Sequence, residues 1–351
     1  MRPRARAAAR VRLWVSRWLR GDSGWAGESL RILLAPAEMT YAALVRLRMQ
    51  LYSAGILRSL RSPIPVFSVG NLSLGGTGKT PFSAWLAGRL LERGGSPVVV
   101  SGGYGRDEVL LHRHLNPRIP MLTASRRIDA ARLAASQGHD CVVVDDGFQH
   151  RRLARNCDIV LVAAESWAGT RRLLPRGPWR EAPAALRRAD LVIVTRKTAT
   201  FERAGEVARA IAEYAPETRI GICEFAPSRV VPLHGGLESG ALPLSWLDGR
   251  EGVAVSTLAD PEPFYEQLRS GGALIETATF PDHHEFDVDD LADLATRLRG
   301  RVLFMTWKEG VKLRSSLPRG VEGYVLEQEV RLEEASAELD HLLDEALVIA
   351  S

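Results

Sequence analysis

Lys79 and Thr80 follow directly on Gly75-Gly76-Thr77-Gly78, an order of residue types suited to holding phosphate. Glycines let the backbone turn tightly with its N–H groups pointing inward. Those groups and the helix N-terminus behind them attract anions. The Lys79 ammonium would reach the β/γ-phosphates, and the Thr80 hydroxyl would ligate Mg²⁺. Ser73 stands where the usual pattern has its first glycine, so the loop is a variant. A glycine-rich strand-to-helix turn without a ligand is the plainer alternative, but strand, Gly-Lys-Thr and helix are all in place. Farther on, the apolar run Cys141–Val144 ends in Asp145-Asp146-Gly147. A carboxylate at the tip of a buried strand, downstream of a phosphate loop, can hold Mg²⁺ directly or through water.

Other groups are candidates on weaker grounds. Asp107-Glu108 follow the glycine-rich stretch Ser101–Arg106, and on their own would read as a solvated acidic pair. Arg180-Glu181 follow Leu174–Trp179, where prolines and a glycine fix a loop, and are expected to start a helix. The planar fork of arginine suits phosphate, and a surface ion pair is the alternative. Asp282, His283 and His284 could bind metal or tune another group, but no third His or Cys sits at ligand spacing for zinc. Thr306–Lys312 is expected to end a strand with two lysines, at the surface or at a phosphate site. Cys141, Cys157 and Cys223 are far apart and read as small core residues, in keeping with a reducing compartment. A GTPase would follow the strand ending at Thr195 with a base-reading Asp; the chain has Arg196-Lys197-Thr198 instead.

The elements that must position these groups can be read from apolar runs and periodicity. Pro65–Val69 reads as a buried strand. Phe82, Trp85, Leu86 and Leu90 recur at helical spacing until Gly94-Gly95, and Val98–Val100 is the next strand. Strand, loop, helix and strand make the βαβ unit of a parallel sheet. A helix over 128–135 and strands at 141–144, 159–163, 191–195 and 219–225 continue the pattern. Residues 226–351 read as a second, smaller α/β domain of strand 252–256, helix 261–270, strand 275–280, helix 288–298, strands 301–306 and 322–327, and a final helix. The fold class is therefore α/β: a P-loop NTPase-type parallel-sheet domain over 61–225, followed by the smaller α/β domain. No internal repeat is present.

The 351 residues suffice for two domains, and 46% hydrophobic with 25% charged residues is an ordinary globular balance. The net charge of +4 is unevenly placed, because residues 1–21 carry seven arginines and no acid. Val11, Trp14, Val15 and Trp18 share one helical face of that arm, which could lie on an anionic membrane. A basic tail without structure would look similar. Ile32–Val45 is apolar but too short to span a bilayer, and reads as an interfacial helix or a core helix. Residues 1–60 are set apart as a basic, amphipathic N-terminal segment, whose helices would be membrane-associating if these apolar faces meet lipid.

In combination the motifs resemble one family. VGNLSLGGTGKTP at 69–81, GYGR at 103–106, DE at 107–108, DDGFQHRRL at 145–153, PRGPWRE at 175–181, FPDHHEF at 280–286 and TWKEGVK at 306–312 are similar to those of tetraacyldisaccharide 4'-kinase, the lipid A 4'-kinase. The resemblance implies transfer of the ATP γ-phosphate to the 4'-hydroxyl of a tetraacylated glucosamine disaccharide 1-phosphate, with Mg²⁺. It implies two α/β/α domains with the site between them, and peripheral or monotopic association with the cytoplasmic side of the inner membrane. No nucleic-acid partner is implied.

By the same resemblance Asp107 is the catalytic base and His283, or its neighbour His284, its partner. Arg106 and Val109 replace the glycine and proline that flank the family's Asp-Glu pair, and the spacer after Gly105 is nearly absent. Gly75, Gly76, Thr77, Gly78, Lys79 and Thr80 would hold the phosphates, and Thr80, Asp145 and Asp146 the Mg²⁺. Glu108, Arg180, Glu181, Gln149 and His150 are helpers. Two other readings stand beside this one. A membrane-associated P-loop ATPase switch would want an upstream lysine, and none lies between Pro65 and Gly78. A kinase of a soluble acceptor would differ in not binding vesicles.

Overall fold

The computed structural model describes residues 15, 18, 24–102, 106–167, 171–234, 240–318 and 320–348. The basic arm over 1–21 and the stretch 103–105 therefore lie almost wholly outside the described residues. By contacts the chain forms two units, one built from 24–224 with 330–351 and the other including 225–329.

The first unit opens with helices α1 (Gly24–Leu33) and α2 (Ala35–Ser53). Pro36 lies in the first turn of α2, where its missing N–H costs nothing. No residue of α2 is buried, so the core-helix reading of Ile32–Val45 is set aside. Strand β1 (Val66–Asn71) leads through the glycine loop to α3 (Lys79–Glu92). There follow β2 (Pro97–Ser101), α4 (Arg106–Leu115), β3 (Met121–Thr123), α5 (Arg127–Ser136), β4 (Cys141–Asp145), β5 (Cys157–Ala163), β6 (Leu191–Arg196), α6 (Phe201–Tyr214) and the start of β7 (Arg219–Pro232).

Strand order here is β3-β2-β4-β1-β5-β6-β7, with neighbours parallel. Strands β2, β4, β5 and β6 are rich in Val and Ile because both of their faces are covered. One face packs Val66, Val98, Val142 and Ile128 together. The other packs Val160, Val192, Val207 and Ile211. From β1 the chain goes out to β2 on one side, and β5 lies on the other. Open α/β sheets bind ligands at such a switch point, outside the carboxyl ends of the strands. Val69 of β1 is in register with Asp145 of β4, so the phosphate-type loop and the Asp145-Asp146 pair leave the sheet side by side.

The second unit contains β8 (Glu251–Ser256), α7 (Glu262–Ser270), β9 (Leu274–Thr279), α8 (Val288–Leu298), β10 (Val302–Met305), α9 (Trp307–Leu313) and most of β11 (Gly323–Leu332). Its strands run β11-β10-β8-β9, again parallel. Phe264, Tyr265, Leu268 and Phe304 form its core. Residues 307–313, expected as the polar end of a strand, are helical instead. Thr306 caps α9 reciprocally with Glu309 in a capping box.

The last helix, α10 (Ser336–Val348), belongs to the first unit and not, as expected, to the smaller domain. Asp340 of α10 pairs with Arg89 and Arg93 of α3, ties that no local pattern announces.

Candidate active site

The loop between β1 and α3 is shaped from within. Gly75 and Gly78 have φ of 103° and 85°, in the left-handed region that glycine enters without strain. The Asn71 amide donates to Thr77 Oγ1 at 2.9 Å and to the Gly75 carbonyl at 3.4 Å. Strand β6 braces the loop from the other side. Thr195 Oγ1 donates to the Thr77 carbonyl at 3.2 Å, and Lys197 Nζ to the Gly76 carbonyl at 2.5 Å. Glu165 holds the Lys197 segment by accepting from the backbone N–H groups of 197, 198 and 199. Lys197, from the segment where a GTPase would carry its base reader, instead reaches back to the phosphate-type loop.

Asp146 is the electrostatic centre. Its φ of 56° turns the chain sharply after β4, a conformation aspartate tolerates better than most residues. Lys79 Nζ lies 3.6 Å from its carboxylate, and Arg180 donates to both of its oxygens at 2.9 Å. Burial alone would push the Asp146 carboxyl up. Lys79 and Arg180 outweigh it and hold the group below the ordinary carboxylate range. Gln149 bridges the cluster, accepting from Arg180 at 3.2 Å and donating to the Asn71 carbonyl at 2.8 Å. Burial, joined by Arg127, Arg48, Arg155 and Arg152, pushes His150 down to about 4.

Arg180 and Glu181 do not start a helix as expected. Ser73 bridges to Trp179, and Arg180 N–H donates to the Leu72 carbonyl at 2.7 Å, which keeps this segment extended. A short 3₁₀ turn begins only at Pro183. Glu181 is buried and paired with Arg188 at 2.9 Å, and Arg188 lies over the Phe148 ring. Tyr41 of the exposed helix α2 donates to the Arg180 carbonyl at 3.0 Å, and Glu38 accepts from Leu173 N–H at 2.7 Å and from Arg176 at 3.0 Å.

Asp145 faces inward. It accepts from Ser83 Oγ at 3.3 Å through one oxygen and from His112 Nε2 at 3.0 Å through the other. Ser83 lies three residues after Thr80 on α3, so Thr80 and Asp145 are presented from the same end of the sheet. Two carboxylates and a hydroxyl form a hard-oxygen donor set. Among the described residues no cluster of three or more His, Cys, Asp or Glu could hold a metal alone. Such a set suits a divalent cation that brings phosphate and water as its remaining ligands.

Asp107 is in the first turn of α4 and is 3% exposed, with Glu108 half-buried after it, so the pair is not the solvated one that it would read as on its own. In the second unit the two candidate histidines differ plainly. His284 is stacked on Phe280 and bonded to Asp290 at 2.7 Å. His283 has φ of 56° and is about half exposed, with its N–H donating to Asp282 at 3.1 Å. Lys308 pairs with Asp282 at 2.5 Å. Glu309, within the motif Thr306–Lys312, is fully buried and accepts from Thr257 N–H and Oγ1, so its role is structural.

Ser83, His112 and Lys197 were not foreseen as parts of this arrangement. Only Ser83 had a local signal, since it lies one helical turn beyond Thr80 on a helix whose start was legible.

Comparison with known proteins agrees with the motifs. The family model for tetraacyldisaccharide-1-P 4'-kinase matches residues 30–109 and 107–348. The two stretches meet where Gly105 runs almost directly into Asp107-Glu108. Similar curated proteins include the tetraacyldisaccharide 4'-kinase of Anaeromyxobacter dehalogenans strain 2CP-C, 38% identical over 78% of this chain and 78% of its own length. Another is that of Syntrophus aciditrophicus, 34% identical over 90% of this chain and 93% of its own length. Among solved structures, LpxK from Aquifex aeolicus, described as an "apo" form in complex with ATP, is 26% identical with a TM-score of 0.69. That similarity covers 91% of this chain and 99% of the Aquifex one.

Proposed function

The chain belongs to the tetraacyldisaccharide-1-P 4'-kinase family, and on that premise we propose how its residues carry out the phosphoryl transfer. ATP is the donor, and the acceptor is the 4'-hydroxyl of a tetraacylated glucosamine disaccharide 1-phosphate. The convergence of Lys79 and Arg180 on Asp146, beside a phosphate-type loop, carries this reading.

In-line transfer demands little covalent chemistry from the protein; it demands placement and neutralised charge. The loop N–H groups of 75–80 hold the phosphates. Lys79, paired with Asp146 until nucleotide arrives, turns to the β/γ-oxygens. Thr80, Asp145 and Asp146 are the residues that would hold Mg²⁺, which when bound neutralises charge developing on those oxygens. Arg180, fixed by Gln149 and by the Tyr41 contact to its carbonyl, is available to the transferred group. Asp107 takes the hydroxyl proton late in the transfer, and His283 supports it. His283 is assigned that part because its side chain is about half exposed, whereas that of His284 is largely buried against Phe280 and Asp290. Glu108 and His150 remain helpers without a separate step.

The acceptor carries apolar chains, and the surface suits it. Among the described residues no helix is long and apolar enough to cross a membrane. Yet Ile32, Leu33, Met39, Leu44 and Leu47 are all more than half exposed on α1 and α2. Helices of this kind bind the interface by their apolar face. This supports peripheral association with the inner membrane's cytoplasmic side.

The test is incubation of the full chain with ATP, Mg²⁺ and a disaccharide 1-phosphate lipid, followed by mass analysis of the lipid. A mass gain of one phosphate is expected, and it should vanish in a folded Lys79→Ala variant. Phosphorylation only of a soluble sugar phosphate, or full turnover by Lys79→Ala, would overturn the reading.

A further inference from the structure

Besides Asp107, helix α4 carries a second buried polar residue. His112 is 2% exposed, as buried as the valines of β2 and β4. Its Nε2 lies 3.0 Å from Asp145 Oδ2, while its Nδ1 is buried with no hydrogen-bond partner. A partner at one nitrogen only assigns the tautomer: the proton sits on Nε2 and is donated to the carboxylate. A leucine would fill this space without the standing cost of an orphaned ring nitrogen. The imidazole is therefore badly placed as mere filling and well placed as a grip on Asp145.

That grip is two-sided. Ser83 Oγ, from the helix that begins with Lys79 and Thr80, donates to Asp145 Oδ1 at 3.3 Å. His112, from the helix that begins beside Asp107, donates to Oδ2. Each carboxylate oxygen keeps acceptor capacity for a further ligand. Outer donors of this kind set the orientation and basicity of ligating groups.

We propose that His112 is a positioning residue for nucleotide-associated Mg²⁺: it fixes the Asp145 carboxylate in the orientation that receives the cation or its water. The inference rests on the reading of Asp145 as a metal-side carboxylate, and its test separates the two.

The experiment measures the affinity of the full chain for ADP with and without Mg²⁺, by calorimetry, in the wild type, Asp145→Asn, His112→Leu and His112→Gln. The ratio of the two dissociation constants reports the metal's share of binding. Asp145→Asn should collapse the ratio toward one. His112→Leu should lower it by about tenfold, the low end of what loss of such an outer partner costs. Affinity for metal-free ADP should stay unchanged in that variant. His112→Gln, whose amide keeps a donor within reach, should recover most of the ratio. If His112→Leu does not fold, His112→Asn, with its donor set back, takes its place with the same expected loss. A normal ratio in His112→Leu beside a collapsed one in Asp145→Asn overturns the role of His112 alone. So does a glutamine variant no better than leucine, which would reduce His112 to packing. A normal ratio in Asp145→Asn overturns the metal-side reading, and this inference with it.

Discussion

Gly147 is the residue through which packing controls the site. It follows Asp145-Asp146 and lies against strand β1. A Cβ built on it would stand 2.4 Å from Ser68 Oγ, 3.1 Å from Ser68 Cβ and 3.0 Å from Val144 Cγ1. Ser68 is fully buried mid-strand, so its backbone cannot retreat. Rotating Oγ would relieve the closest contact but not the other two. Gly147→Ala should therefore destabilise the protein by about 2–3 kcal/mol, the upper part of the range for overpacking a dense core. It should also push the Asp145–Asp146 turn outward and cost activity beyond the loss of folded protein. Ser68→Ala removes the 2.4 Å contact and leaves the others. In the double variant it should recover roughly 1 kcal/mol as a coupling term, since the two residues touch. The assay is urea unfolding of the four members of the cycle, with kcat measured on each at equal folded fraction. A Gly147→Ala loss below about 0.5 kcal/mol, within the range of ordinary surface changes, would refute the reasoning. Strictly additive losses in the double variant would refute it too.

Asp107→Asn and His283→Ala should each lower kcat by about 10²–10⁴-fold, with the double variant little worse than either, because groups acting as a unit are non-additive. ATP affinity should survive; losses that multiply would mean two independent roles. His150 makes stability pH-dependent. Its folded pKa of about 4 lies below the unfolded value near 6.5, so the unfolded chain binds the extra proton between them. Stability should accordingly fall as pH drops from about 6.5 to 4, by roughly 1–2 kcal/mol once solvent exposure is discounted. His150→Gln should flatten that slope in melts taken across the window; an unchanged slope would assign it to other groups. Replacing Met39, Leu44 and Leu47 together by glutamine should weaken vesicle partitioning roughly a hundredfold, at about 1 kcal/mol for each partly exposed side chain. Sedimentation with anionic vesicles measures this, and wild-type partitioning would remove α2 from the membrane face.

The chemistry of this protein is written locally in its sequence. A strand of β-branched residues, a glycine loop, Lys79-Thr80 and a helix follow one another without a gap. Each signal spans a few residues, so periodicity and turn chemistry suffice to read it. The same holds for β4 ending in Asp145-Asp146 and for α8, which begins and ends where its pattern says. Legibility fails where polar residues make the element. Helix α4, over Arg106–Leu115, is rich in charge and histidine, and α9 is hidden until Thr306 and Glu309 are seen to cap each other. It fails again where partners are far apart in the chain. Arg180 meets Asp146, Lys197 meets Gly76, His112 meets Asp145 and Asp340 meets Arg89 only because parallel strands bring their carboxyl ends, or the helices covering them, together. The sequence by itself determined which groups can hold phosphate and metal, because those demands fall on residue type and short spacing. The tertiary structure alone decided which carboxylate is gripped from within and which receives the two cations. Orientation, burial and charge are properties of neighbours in space.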